Sequence, residues 1–70
     1  MKYLIVLTDD QYGTEHYFLN VKDVNPAHPN AWTPELDEAF CFGTVLANRW
    51  CARLQKLYGK GAIKLRQVSA

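Results

Sequence analysis

Serine occurs only once in this 70-residue chain, as Ser69 at its end, and cysteine only twice, as Cys41 and Cys51. A serine nucleophile held near a histidine and an orienting group is therefore not expected. Two thiols ten residues apart make no disulfide framework. The spacing also misses the pairs, about two to four residues apart, that structural zinc uses. No metal and no cofactor is expected, and both thiols should stay reduced. No apolar run approaches the roughly 18 residues that span a bilayer. The opening Met-Lys-Tyr-Leu-Ile-Val-Leu-Thr lacks a small-residue cleavage site, so it reads as a strand rather than an export signal. The expectation is a cytoplasmic protein, acting in a host cell, with no membrane partner. Gly13, Gly43, Gly59 and Gly61 all fall at element boundaries, and none forms a phosphate-cradling pattern. Carboxylates are missing altogether after residue 38.

That last absence gives the chain its polarity. All seven acids lie in residues 1–38, offset there only by Lys2 and Lys22. Residues 39–70 carry Arg49, Arg53, Lys56, Lys60, Lys64 and Arg66 unopposed, although the net charge is only +1. Segregation of this kind prompts a search for an electrostatic partner. The remaining composition is globular: 49% hydrophobic, 21% charged, and rich in aromatics that can build a core in one small domain, residues 1–70.

Residues 2–8 are a β-branched, apolar run and predict a strand. Residues 15–22 predict a second, with Tyr17, Leu19 and Val21 on one face and His16, Phe18 and Asn20 on the other, the two forming an antiparallel hairpin. Pro26, Pro29 and Pro34 make residues 23–34 irregular chain laid over the sheet. Thr33-Pro34-Glu35 has the pattern of a helix start, expected to be short because Gly43 follows. Thr44 is expected to cap the main helix, residues 45–58, and Gly59 to end it in a left-handed conformation. On a helical wheel Leu46, Ala47, Trp50, Cys51, Leu54, Leu57 and Tyr58 share an arc of about 140°, and Arg49, Arg53 and Lys56 one of about 60° on the other side. The first arc is expected to lie on the sheet. Residues 62–68 alternate as a last strand, sending Ile63 and Leu65 toward the helix and Lys64 and Arg66 away. The fold class is α+β: ββαβ, a three-stranded antiparallel sheet with one helix packed across one face.

The segment Trp32-Thr33-x-x-Leu36-x-x-Ala39-x-x-Phe42, followed by Thr44 and a helix with Ala and Trp, resembles a pattern of small proteins from phages and mobile elements. The resemblance covers about residues 30–68. Such proteins include anti-CRISPR inhibitors, compact and usually non-enzymatic, that occupy a surface of a CRISPR effector. The resemblance implies this architecture and a protein complex of the host as partner, and it carries no catalytic residues to transfer. The helical spacing of Leu36, Ala39 and Phe42 predicts that the short turn is planted on the core.

Binding rather than catalysis is thus the expectation, with a phage-type inhibitor of a host defence complex as the leading reading. The basic residues Arg49, Arg53, Lys56, Lys60, Lys64 and Arg66 are the candidate surface, joined by Tyr12 at the hairpin tip and Trp32 in the proline loop as anchors. An accessory nucleic-acid-binding protein is the first alternative. Three phosphate contacts would give a salt slope of about −2.7, or about 40-fold weakening from ~50 to ~200 mM, hence weak and non-specific binding. A structural or assembly protein is the second, dimeric through a patch of Leu4, Val6 and Phe18 on the sheet face away from the helix.

Overall fold

The computed structural model describes residues 1–9 and 14–68. It is an α+β structure with one helix on an antiparallel sheet. The sheet is built around β1 (Lys2–Asp9), whose apolar run is explained by its position: it is paired along both edges. On one edge β5 (Ile63–Val68) pairs with residues Lys2 to Leu7. The other edge is shared end to end. β2 (Thr14–Phe18) takes Val6 to Asp9, and the two-residue β4 (Phe42–Gly43) takes Lys2 and Tyr3. A second two-residue strand, β3 (Trp32–Thr33), extends the sheet beyond β2 through Tyr17↔Thr33 and Phe18↔Trp32. The expected three strands β2-β1-β5 are therefore present, and two short ones recruited from the connecting chain are added to them.

β2 stops at Phe18, four residues before its expected end. Asn20 turns at φ 52° and Asp23 at φ 67°, left-handed conformations that these two residue types tolerate better than most. The proline segment then folds over the sheet with a 3₁₀ turn at Pro29–Ala31. The Thr33-Pro34-Glu35 signal opens only a single 3₁₀ turn, Leu36–Glu38. The helix α1 (Thr44–Tyr58) begins one residue early, with Gly43 rather than Thr44 at the cap position and no side-chain cap bond. At its other end Gly59 has φ 99° and ψ 151°. The positive φ agrees with expectation, but the extended ψ moves it from the left-handed helical region to one that is almost exclusive to glycine.

Strand alternation sorts the core into two layers. Toward α1 lie Ile5, Phe18, Trp32, Phe42 and Ile63, packed with Ala47 and Leu54 of the helix. Phe18 is the hub of their aromatic packing, with ring centroids 5.1 Å from Trp32, 5.0 Å from Trp50 and 6.0 Å from Phe42. On the far face Leu4, Val6 and Tyr17 form a second cluster against Ala39 and Val68. This arrangement corrects the expected apolar patch. Phe18 faces the helix, and Leu4 and Val6 are only 3% and 2% exposed, so they offer no open sheet surface.

Two further expectations change for geometric reasons. The helix buries a stripe centred on Ala47 and Leu54, narrower than the apolar arc of the wheel, and Leu46 and Leu57 at the border are 51% and 57% exposed. The sheet is too narrow to cover them. Leu36 is 53% exposed because the chain leaves the 3₁₀ turn at Ala39, which is extended (ψ 139°), so helical spacing does not continue to Phe42. Ala39 and Phe42 still reach the core, but on opposite faces of the sheet.

Candidate functional site

Of the residues singled out in the sequence, Arg49, Arg53 and Lys56 form one surface. They stand exposed on the outer side of α1, spaced four and three residues apart, so that successive turns stack them. The helix contains no acid, and the one ion pair among the described residues lies elsewhere. No carboxylate among the described residues forms an ion pair with any of the three. The Arg53 guanidinium lies 4.8 Å from the centroid of the Trp50 ring, a cation–π contact that holds the arginine over the aromatic face.

The other basic residues go elsewhere. Lys60 is exposed in the turn after α1. Lys64 and Arg66 project from the sheet face opposite the helix, as the alternation of β5 requires once Ile63 and Leu65 face α1. Arg66 is moreover neutralised. Its Nη2 donates to Glu15 Oε2 at 2.6 Å and its Nη1 to the Tyr17 hydroxyl at 3.5 Å, with Cζ 6.0 Å from the Tyr17 ring centroid. The hydrogen bond to Glu15, then that to Tyr17, push the Arg66 pKa up from its already high value. The six cations are thus not one surface: three share the helix face, Lys60 stands in the turn, Lys64 and Arg66 lie across the sheet, and Arg66 alone has a carboxylate partner among the described residues.

The two proposed anchors also separate. Tyr12 lies outside the described residues. Trp32 is buried, 8% exposed, and its ring stands edge-on to Tyr58 with centroids 5.6 Å apart. Its indole N–H is shared between the Pro26 carbonyl at 3.0 Å and the Tyr58 hydroxyl at 3.2 Å, while that hydroxyl donates to the same carbonyl at 2.8 Å. Trp32 therefore ties the proline loop to the end of α1, and its polar atom is already committed. Trp50 is the tryptophan that borders the cationic surface.

Sequence reasoning missed the apolar half of this surface. Leu46, Trp50 and Leu57 run along the flank of α1 immediately beside Arg49 and Arg53. Two open hollows flank the Trp50–Arg53 stack. One, about 380 Å³, is lined by Leu46, Arg49 and Ala52. The other, about 450 Å³, is walled by Asn25 and Pro26 of the loop and by Lys56 and Leu57. The only sequence signal for this flank is position on the wheel, where Leu46 and Leu57 adjoin Arg53. Deciding that they remain outside requires the width of the sheet.

Cys51 is half-buried against the core, and burial pushes its thiol above the ordinary value of 9.0. Cys41 is exposed. No group of three or more metal-ligating side chains occurs among the described residues, and no helix there is long and apolar enough to cross a membrane. No protein-family model, curated protein or solved structure matches this chain.

Proposed function

We propose that the chain is a non-enzymatic binding protein that docks on an acidic surface of a host protein complex through the outer flank of α1. One observation carries this reading: Arg49, Arg53 and Lys56 without carboxylate partners among the described residues, set beside the exposed Leu46 and Leu57 and the partly buried Trp50 on a single helix. Exposed leucines around a partly buried tryptophan, bordered by arginines, have the composition of a protein interface core and its rim. The hollows beside Trp50 are open and shallow, a shape suited to side chains of a macromolecule more than to an enclosed small substrate. The resemblance to small phage proteins makes a defence complex such as a CRISPR effector the partner to test first, and the inhibitor role goes with it.

The experiment is co-purification of the chain with purified CRISPR effectors, followed by a cleavage assay. Binding and inhibition by the wild type, lost in Arg49→Glu/Arg53→Glu, are expected. Binding that survives both reversals removes this flank from the reading.

A nucleic-acid reading is favoured by one specific feature, the Arg53 guanidinium stacked on Trp50, a platform on which an unpaired base can lie. With three cations on the helix face, single-stranded DNA binding should fall about 20-fold between ~50 and ~200 mM salt. A gel shift absent at the lower salt ends that alternative. The dimeric assembly reading loses its proposed patch, since Leu4 and Val6 are covered and Phe18 lies under the helix.

A further inference from the structure

Three leucines whose spacing directs them to the core stand outside it. Leu46 and Leu57 border Trp50 on α1, and Leu36 crowns the 3₁₀ turn. Their surroundings are opposite in charge. Leu46 and Leu57 lie among Arg49, Arg53 and Lys56, whereas Leu36 is ringed by Glu35, Asp37 and Glu38, all exposed.

The acidic turn is braced rather than loose. Thr33, 4% exposed, accepts the Glu35 N–H at 3.1 Å and donates its hydroxyl proton to Glu38 Oε2 at 3.1 Å. The Glu38 and Ala39 N–H groups close the turn on the carbonyls of Glu35 and Leu36 at 3.1 and 3.2 Å. A fixed turn presents its apical leucine at little entropic cost. The opposite number is equally rigid: the hollow between Leu46 and the Trp50–Arg53 stack is built on a single helix. A leucine side chain is small enough to enter that space, about 380 Å³, with its flanking carboxylates left at the arginine rim.

From this complementarity we infer that the chain associates with a second copy of itself, Leu36 of one copy seated beside Leu46 and Trp50 of the next, with Glu35 and Asp37 facing Arg49 and Arg53. The contact is head to tail. Thr33 pairs with Tyr17 and Ala39 packs against the cluster of Leu4, Val6 and Tyr17, which places the acidic turn on the sheet face away from α1. Patches on opposite faces cannot be satisfied reciprocally in one two-fold dimer, so the arrangement is heterologous, giving a ring if its rotation closes and a string of copies if it does not. A turn in a hollow covers far less than the ~1,200 Å² of a stable interface, so the association is reversible and salt-sensitive. It uses the helix flank assigned above to a host partner but stands without that reading, because its partner is the chain itself.

Sedimentation of the full chain from about 10 μM to about 1 mM tests it, at concentrations where weak interfaces populate. The mean mass is expected to rise with concentration at ~25 mM salt, and the association constant to fall at least about tenfold at ~300 mM salt. Leu36→Ser and Arg49→Glu/Arg53→Glu should each be monomeric, with unchanged circular dichroism because all three positions are exposed. Asp37→Lys replaces Leu36→Ser if the latter misfolds. Mixed, the two variants should form a one-to-one dimer and nothing larger, since one retains the turn and the other the hollow. Three results overturn the inference: a wild type monomeric throughout, association indifferent to salt, or a dimer that persists in either variant alone. A monomer that still binds an effector through Arg49 and Arg53 refutes self-association and leaves the proposed function standing.

Discussion

Two glycines separated by one residue differ sharply in whether a side chain could replace them. Gly59 holds φ 99° and ψ 151° while its N–H donates to the Gln55 carbonyl at 2.8 Å, so the helix ends there by a conformation that a Cβ resists. Gly61 has open space where a Cβ would sit, and its φ lies outside the positive range. Gly59→Ala should therefore cost about 1–3 kcal/mol in urea unfolding, and Gly61→Ala less than about 0.5 kcal/mol. The cysteines differ in the same local way. Cys41 is exposed, whereas Cys51 is half-buried with its thiol raised. Iodoacetamide should alkylate Cys41 at least about tenfold faster at pH 8, followed by mass spectrometry. Since the fold favours the neutral Cys51 thiol, its contribution to stability is complete below the unfolded value of 9.0 and is lost as pH rises beyond it.

Among the elements, the 3₁₀ turn and the start of α1 show opposite economies of capping. Thr33 satisfies its turn through one buried hydroxyl; Thr33→Val keeps the shape, removes both bonds, and should lower stability by about 1–2 kcal/mol in thermal or urea melts. The helix start has no side-chain cap and no acid in its first turn. Gly43 sits at φ −69°, ψ 165°, and a Cβ added there would meet nothing within 4 Å. Gly43→Asp should thus raise the unfolding free energy from urea melts by a few tenths to about 1 kcal/mol, through capping and the helix dipole. The elements themselves were legible where one periodicity ran unopposed. The β1 run and the Ile63/Leu65 against Lys64/Arg66 alternation appear in the sheet, and α1 buries the Ala47–Leu54 centre of its wider apolar arc. β3 and β4 were not, because two-residue strands have no period to detect; they exist because β2 and β1 offer open edges. The candidate site divided similarly. Helical spacing sufficed to gather Arg49, Arg53 and Lys56, but the pairing of Arg66 with Glu15 joins residues brought together only by the sheet.

For the molecule as a whole, the cations of α1 and the acidic turn lie on opposite sides, while Lys64 and Arg66 share the side of the turn. A Cα radius of gyration of 11.1 Å matches the ~11 Å expected for this length. The accessible surface, 4885 Å², is somewhat above the ~4,450 Å² of a typical chain this size, in keeping with one helix covering one side of a sheet. Arg49 and Arg53 repel across one helical turn, and neither forms an ion pair among the described residues. Raising salt from ~20 to ~300 mM at low protein concentration should accordingly raise the melting temperature by about 2 °C, as screening weakens that repulsion. A melting temperature that falls with salt would mean that attraction between charges dominates the fold. β1 has its own consequence at this scale. It is made first and is flanked by β5, which is made last, with Leu7 opposite Ile63. At translation rates of about 5–20 residues per second, the stretch between them takes roughly 3–10 seconds to synthesise. Throughout that interval the most aliphatic strand of the nascent chain has one bare flank, so the sheet cannot be completed until its final strand is made.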